Sequence, residues 1–223
     1  MINYYDALFT NDEGLDAYYK YVSDNIVGHS IIELACGTGD ILSRLNQKYD
    51  VVGIDLDETM IATTLTKFPD LRGKVSEGDF LEYTDTKRYD NCVCIGDSLN
   101  YILNKEDLMK FVEVSTQLSD HIILDCHHPF RLNEFRNDYY EEGSTDAFDY
   151  AYQIEVEGEH LVHVINFLDG TFDAIYQWVF NPEILINAYK EKGYNVKVMT
   201  DFDKDGITDE GEKVRLIATK ESI

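Results

Sequence analysis

The chain is short of positive charge. Its 19 Lys and Arg face 43 Asp and Glu, a net charge of −24, so a phosphate backbone would be repelled unless a local basic patch overcame the field. No such patch is visible, and no nucleic-acid partner is expected. Long apolar stretches are also missing: no run reaches eighteen residues, and Met1 to Asp16 has neither a basic nor an apolar segment of the signal-peptide kind. These absences predict a soluble chain that stays in the cytoplasm, with no membrane partner. Cysteine is sparse. Cys36, Cys92, Cys94 and Cys126 form no CxxC pair and lie in or beside strand-like segments, which fits reduced thiols better than disulfides or zinc. A metal corner at Cys126-His127-His128 would need adjacent ligands that a strand points to opposite faces. Repeats, low-complexity tracts and flexible linkers are absent, and nothing sets an oligomeric state.

What is present suits one well-filled core. With 223 residues, 44% hydrophobic and 13% aromatic, the chain is long enough for a single domain carrying an insertion. Aliphatic or β-branched runs fall at 31–35, 51–54, 74–76, 91–95, 121–126, 194–199 and 214–219. Between the early runs, 40–48, 57–68 and 105–118 show helical spacing. Strand alternating with helix predicts an α/β fold: a Rossmann-like, doubly wound, mostly parallel seven-stranded sheet. From Phe148 to Phe180 the period becomes two, with Asp169-Gly170 as a hairpin turn. That stretch predicts an antiparallel β lid, 148–180, inserted into a core of 1–147 and 181–223. Asn181-Pro182 then opens a helix that Gly193 ends.

Glu33-Leu34-Ala35-Cys36-Gly37-Thr38-Gly39-Asp40 follows the first strand and opens a helix. Its glycines let the backbone pass close to a ligand. An ordinary glycine-rich turn would look the same, but two further features add to it. Asp55 ends the second strand, where its carboxylate can accept from ribose hydroxyls. Gly78-Asp79-Phe80 ends the third, with an acid for an adenine amino group and an aromatic for the ring. Three neighbouring strand tips thus finish in groups suited to a nucleoside. A dinucleotide fits less well: Leu42 stands at the third glycine position of GxGxxG, and Asp40 puts negative charge where pyrophosphate would sit.

ELACGTG, Asp55 and EGDF together resemble motifs one to three of the class I S-adenosylmethionine-dependent methyltransferases. With Tyr5-Asp6, the segments Cys94 to Tyr101 and Leu124 to Leu132, and the meander, the whole chain resembles the small bacterial YqeM-type methyltransferases. A similar layout occurs in sugar-amine N-methyltransferases. The resemblance implies S-adenosylmethionine as cofactor. It implies that Glu33, Ala35, Gly37 and Gly39 hold the methionine part, that Asp55 takes the ribose, and that Leu56, Met60, Asp79 and Phe80 frame adenine. An N-terminal clamp would rest on Tyr4 or Tyr5, and Asp97 and Ser98 would hold the methionine ammonium and carboxylate.

Methyl transfer from a sulfonium is an in-line displacement, so alignment and exclusion of water matter most. A base is needed if the acceptor is a protonated amine or a hydroxyl. His127 or His128 is placed for that, although only one of the two can face the cleft. The opposing reading makes both structural histidines. Tyr101 and Asn100 would position a small-molecule acceptor, unless they merely cap a loop. Tyr176 and Trp178 would wall the site, unless they are core. The acidity fits solubility, and it also fits attraction of a cationic acceptor. Two other functions share parts of this pattern: a non-catalytic S-adenosylmethionine-binding module and an NAD-linked oxidoreductase. Finally, Asp201, Asp203, Asp205 and Glu212 match positions of a calcium loop, but strands flank it and the large hydrophobe is one place early. A solvated hairpin loop is the preferred reading.

Overall fold

A computed structural model describes residues 4–9, 11–137 and 139–221, apart from the side chains of Tyr5, Asp6 and Phe9. Two N-terminal helices, α1 (Tyr4–Phe9) and α2 (Asp12–Asn25), precede the sheet. The Asn11 side chain caps α2 by accepting from the Gly14 amide at 2.7 Å. Then β1 (Ser30–Leu34), α3 (Asp40–Leu45), β2 (Asp50–Asp55), α4 (Glu58–Lys67) and β3 (Val75–Glu77) alternate. The chain next returns to the other side of β1 with β4 (Asn91–Cys94), α5 (Lys105–Leu118) and β5 (His121–His127). This reversal beside β1 is the switch point at which doubly wound sheets open a crevice for ligands.

After the short α6 (Arg131–Glu134) comes an antiparallel sheet of β6 (Tyr139–Ser144), β7 (Asp149–Glu157), β8 (His160–Phe167) and β9 (Phe172–Trp178). The core resumes with α7 (Glu183–Glu191), β10 (Tyr194–Thr200), β11 (Lys204–Asp205) and β12 (Lys213–Lys220). Strand order in the main sheet is β11-β10-β12-β5-β4-β1-β2-β3. The strands β1 to β5 run parallel, while β12 is antiparallel to both β5 and β10.

Register explains the layers. Glu33 lies beside Val93, Val93 beside Ile123, and Ile123 beside Ile217, so this row faces one side, where α2 and α3 pack Tyr21, Val22 and Leu42. Ile32, Cys92, Ile122 and Ala218 face the other side, against Phe111 of α5 and Tyr189 of α7. All seven residues of β5 are buried, as expected of a central strand covered on both faces.

Two expectations need correction. The main sheet has eight strands instead of seven, because the two-residue β11 pairs antiparallel with the end of β10 through Met199 and Thr200; so short a ribbon has no periodicity to read. The antiparallel sheet also starts at Tyr139 instead of Phe148. Its first strand reads Tyr-Tyr-Glu-Glu-Gly-Ser and stays largely exposed, so it is held by backbone pairing to β7 and shows no hydrophobic alternation. All four cysteines are free and buried. Among the described residues no helix is long and apolar enough to cross a membrane.

Candidate functional site

A cavity of about 1070 Å³ opens at the carboxyl ends of the parallel strands. It lies just above the range of roughly 300–1,000 Å³ usual for ligand pockets. The turn after β1 forms its floor. Ala35, at φ 57, is one of three non-glycine residues with positive φ among the described residues, and Gly37 (φ 55) and Gly39 (φ 80) follow it. At Gly39 a Cβ would come within 2.5 Å of the Thr64 side chain, whereas at Gly37 it would enter open space. Asp55 braces this turn: its Oδ2 accepts from the Gly37 amide at 2.8 Å and its Oδ1 from the Asp57 amide at 3.0 Å. Each carboxylate oxygen keeps a second acceptor site for a ribose hydroxyl. Burial raises the Asp55 carboxyl, and the two amides oppose that.

Glu33, Leu56, Met60, Asp79 and Phe80 also line the cavity. Leu56 is 68% exposed there, an apolar side chain offered to the cavity mouth. Phe80 rests edge-on against Phe111, with centroids 5.4 Å apart, and Asp79 accepts from the Leu81 amide at 2.8 Å. Glu33 is 3% exposed and its Oε2 has no partner. Burial, then the charges of Asp55 and Asp40, push its carboxyl up to about 8. A buried acid with an unused oxygen suits the ammonium of an amino-acid ligand.

At the far side, a polar cluster joins the lid to β5. His127 Nε2 and His163 Nε2 both donate to Gln177 Oε1, at 2.7 and 2.9 Å. The tautomers follow, because each Nδ1 is left as an acceptor. His163 Nδ1 receives the Tyr152 hydroxyl at 2.6 Å, and His127 Nδ1 lies 3.5 Å from Lys213 Nζ. Burial pulls both imidazoles down to about 4, so both are neutral at pH 7.

A family model described as a methyltransferase domain matches residues 31–119. "Putative methyltransferase YqeM" of Bacillus subtilis (strain 168) is 30% identical over 172 residues, which cover 73% of this chain and 69% of that protein. The chain belongs to the class I S-adenosylmethionine-dependent methyltransferases. Solved structures share the fold. An S-adenosylmethionine-dependent methyltransferase from Clostridium acetobutylicum ATCC 824 superposes with TM-score 0.82 at 20% identity, covering 98% of this chain and 96% of that one. CalS10, an amino pentose methyltransferase from Micromonospora echinaspora, gives 0.72 at 14%, with 97% and 94% covered.

In this methyltransferase several side chains expected at the site are engaged elsewhere. His128 points away from His127: its Nε2 bonds the Thr208 carbonyl at 3.0 Å and its Nδ1 accepts from the Phe130 amide at 3.1 Å. Both nitrogens are spent on loop backbone, so His128 has none left for catalysis. His127 does not line the cavity, although Tyr101 does, and the Tyr101 hydroxyl interacts with Gln177. Asn100 clamps the lid, donating to the Trp178 carbonyl at 2.7 Å and accepting from the His127 amide at 2.9 Å. Ser98 lines the cavity, with its hydroxyl on the Ile95 carbonyl at 2.9 Å. Asp97 does not line the cavity; its carboxylate contacts the Lys213 ammonium. Trp178 is core, 8% exposed and packed on Phe180, and Tyr176 is 47% exposed, off the cavity. The Tyr5 side chain lies outside the described residues.

The Asp201 to Glu212 loop uses its own first acid. Asp201 accepts from the Glu212 amide at 2.9 Å and the Lys213 amide at 3.2 Å, and pairs with Lys204. Among the described residues no group of three or more His, Cys, Asp or Glu side chains is set to hold a metal. Tyr4, named with Tyr5 as the N-terminal clamp, lines the cavity; sequence reading missed Tyr18, Ile175, Lys213 and Arg215, which line it too. One clue was present for the last two: Lys213-Val214-Arg215 places two of 19 cations on one face of a strand.

Proposed function

We propose that this methyltransferase modifies a small-molecule acceptor at a nitrogen or oxygen nucleophile, inside the cavity and beneath the antiparallel lid of 148–180 with its added strand β6. The observation that carries this reading is the convergence of the β1, β2 and β3 tips on one cavity whose remaining wall includes Tyr101 and the lid's Ile175. The cofactor would lie with its ribose on Asp55, its adenine between Leu56, Met60, Asp79 and Phe80, and its methionine part over Glu33, Ala35, Gly37 and Gly39. When bound, it supplies an electrophilic methyl group on a good neutral leaving group.

The protein's contribution is alignment. Tyr101 lines the acceptor side, and burial raises its phenol, so it stays protonated at neutral pH and orients a nucleophile by donating or accepting one hydrogen bond. Gln177 holds Tyr101 and His127 together, which makes His127 a positioning residue behind the wall. Charge favours an amine as acceptor. Tyr4 on the cavity wall bonds the carboxylate of Asp173 on the lid, and the net charge of −24 draws cations in. CalS10, whose fold is shared, is an amino pentose methyltransferase, which is consistent with a small amine. A cytoplasmic location accords with free cysteines.

The test is a calorimetric titration with S-adenosylhomocysteine and, separately, NAD, followed by a screen of small amines and alcohols with labelled S-adenosylmethionine. Binding of the first ligand only, and label in a small product, are expected. Binding without transfer to any acceptor would point to a sensor module, and preference for NAD would sink the reading.

A further inference from the structure

The β12 end of the cavity carries a cation that the cofactor motifs do not use. Arg215 sits on β12 beside Asp125 of β5 and is 3% exposed, yet it lines the cavity. Its Nε and Nη1 are buried without a hydrogen-bond partner. The guanidinium is fixed by aromatic rings: Phe202 lies with its centroid 3.4 Å from Cζ, Tyr18 at 5.3 Å and Tyr21 at 5.6 Å. Asp125, the acid in register with it, spends its oxygens elsewhere. Oδ2 accepts the Tyr18 hydroxyl at 2.7 Å and Oδ1 the Asp97 amide at 3.3 Å. The neighbouring cation, Lys213, has the Asp97 carboxylate in contact. Arg215 is therefore an oriented cation with open donors in a chain where acids outnumber bases more than two to one. Buried guanidinium groups are normally paired, and the planar fork matches a carboxylate.

We propose that Arg215 is the carboxylate-binding residue of this cavity. The carboxylate comes either from the amino-acid end of the cofactor or from the acceptor, and the inference rests on the methyltransferase reading of the site. Tyr18 and Phe202 act as its frame, keeping the guanidinium plane turned to the cavity so that the ligand meets a preorganised donor set.

The full chain and its Arg215→Gln and Arg215→Lys variants would be titrated with S-adenosylhomocysteine and with its decarboxylated analogue, which keeps the thioether and the amine. If the carboxylate is the cofactor's, Arg215→Gln weakens S-adenosylhomocysteine about 30- to 100-fold, Arg215→Lys less, and the analogue binds all three chains alike. If it is the acceptor's, both nucleosides bind unchanged. Acetate, measured against chloride at equal ionic strength, then raises the Tm of the wild-type chain and not of Arg215→Gln. Equal loss of both nucleosides in Arg215→Gln would make Arg215 merely structural, and no difference from wild type in any arm would also overturn the proposal. Should wild type bind neither nucleoside, the cofactor reading falls, and the acetate arm alone decides on Arg215.

Discussion

Replacing Glu33 by Gln tests whether the buried acid of the cavity is coupled to its ligand. The carboxyl sits at about 8 in the folded chain against an ordinary value of 4.5, because burial and the charges of Asp55 and Asp40 all disfavour its ionised form. The folded state thus holds this proton more tightly than the unfolded chain does. The stability it contributes is complete below about pH 4.5 and is lost as pH rises towards 8. Three to four pH units at about 1.4 kcal/mol each make the loss on the order of 4–5 kcal/mol. The Tm of the free wild-type chain should therefore fall more steeply between pH 5 and 8 than that of Glu33→Gln. A bound ammonium reverses the balance, since a neighbouring cation favours the carboxylate. At pH 7 about nine in ten free molecules carry the proton, so binding should release about 0.9 proton; at pH 9 the release should drop to about 0.1. Titrations of S-adenosylhomocysteine in buffers of different ionisation enthalpy read this number as the difference between wild type and variant. A difference near zero at pH 7, or one that does not change by pH 9, would refute the coupling.

Other substitutions separate the parts of the site. Asp55→Ala removes the brace on Gly37 as well as the proposed ribose acceptor, and S-adenosylhomocysteine affinity should fall by at least about 100-fold in calorimetry; retained affinity would move the ribose elsewhere. Gln177→Leu leaves two buried imidazole N–H groups without their shared acceptor, a cost of about 2–4 kcal/mol in chemical denaturation; an unchanged midpoint would mean that the cluster is not formed. Millimolar calcium should leave the Tm of the wild-type chain where it is, because the Asp201 carboxylate already serves two backbone amides and Lys204; a clear upward shift would restore the loop as a metal site.

The parallel core was legible because its strands are buried on both faces and read as apolar runs, as β5 shows with seven buried residues out of seven. Asp55 and the Glu33 to Gly39 turn were legible because a turn that approaches a ligand needs positive φ, which glycine supplies. Side-chain parity in β9 was not. Taking Phe172, Ala174, Tyr176 and Trp178 as the inward set follows the hydrophobic pattern, but β8 pairs Leu161 with Gln177 and His163 with Ile175. The inward set is Asp173, Ile175 and Gln177. A register shift of one residue exchanges every side chain between faces, and here the face that meets the site is the more polar one because it carries the hydrogen-bonding groups. The double histidine was ambiguous for a related reason: alternation puts one imidazole on each face, and composition does not say which face holds the cavity.

The same alternation explains why the charged residues of β12 matter although they match no motif. Lys213 and Arg215 share a face, two residues apart, and the register sets them beside His127 and Asp125. Among the described residues that line the cavity they are the only cations, against seven acids. An acid-lined cavity attracts a ligand with a sulfonium and an ammonium, and by the same field it repels that ligand's carboxylate. Burial and Arg215 together pull the Lys213 ammonium down to about 7, and the Asp97 contact opposes them. Glu33, Asp55 and Asp57 stand at the β1 and β2 end of the cavity and the two bases on β12 with Glu212 beside them, so the proposed carboxylate would meet Lys213 and Arg215 there.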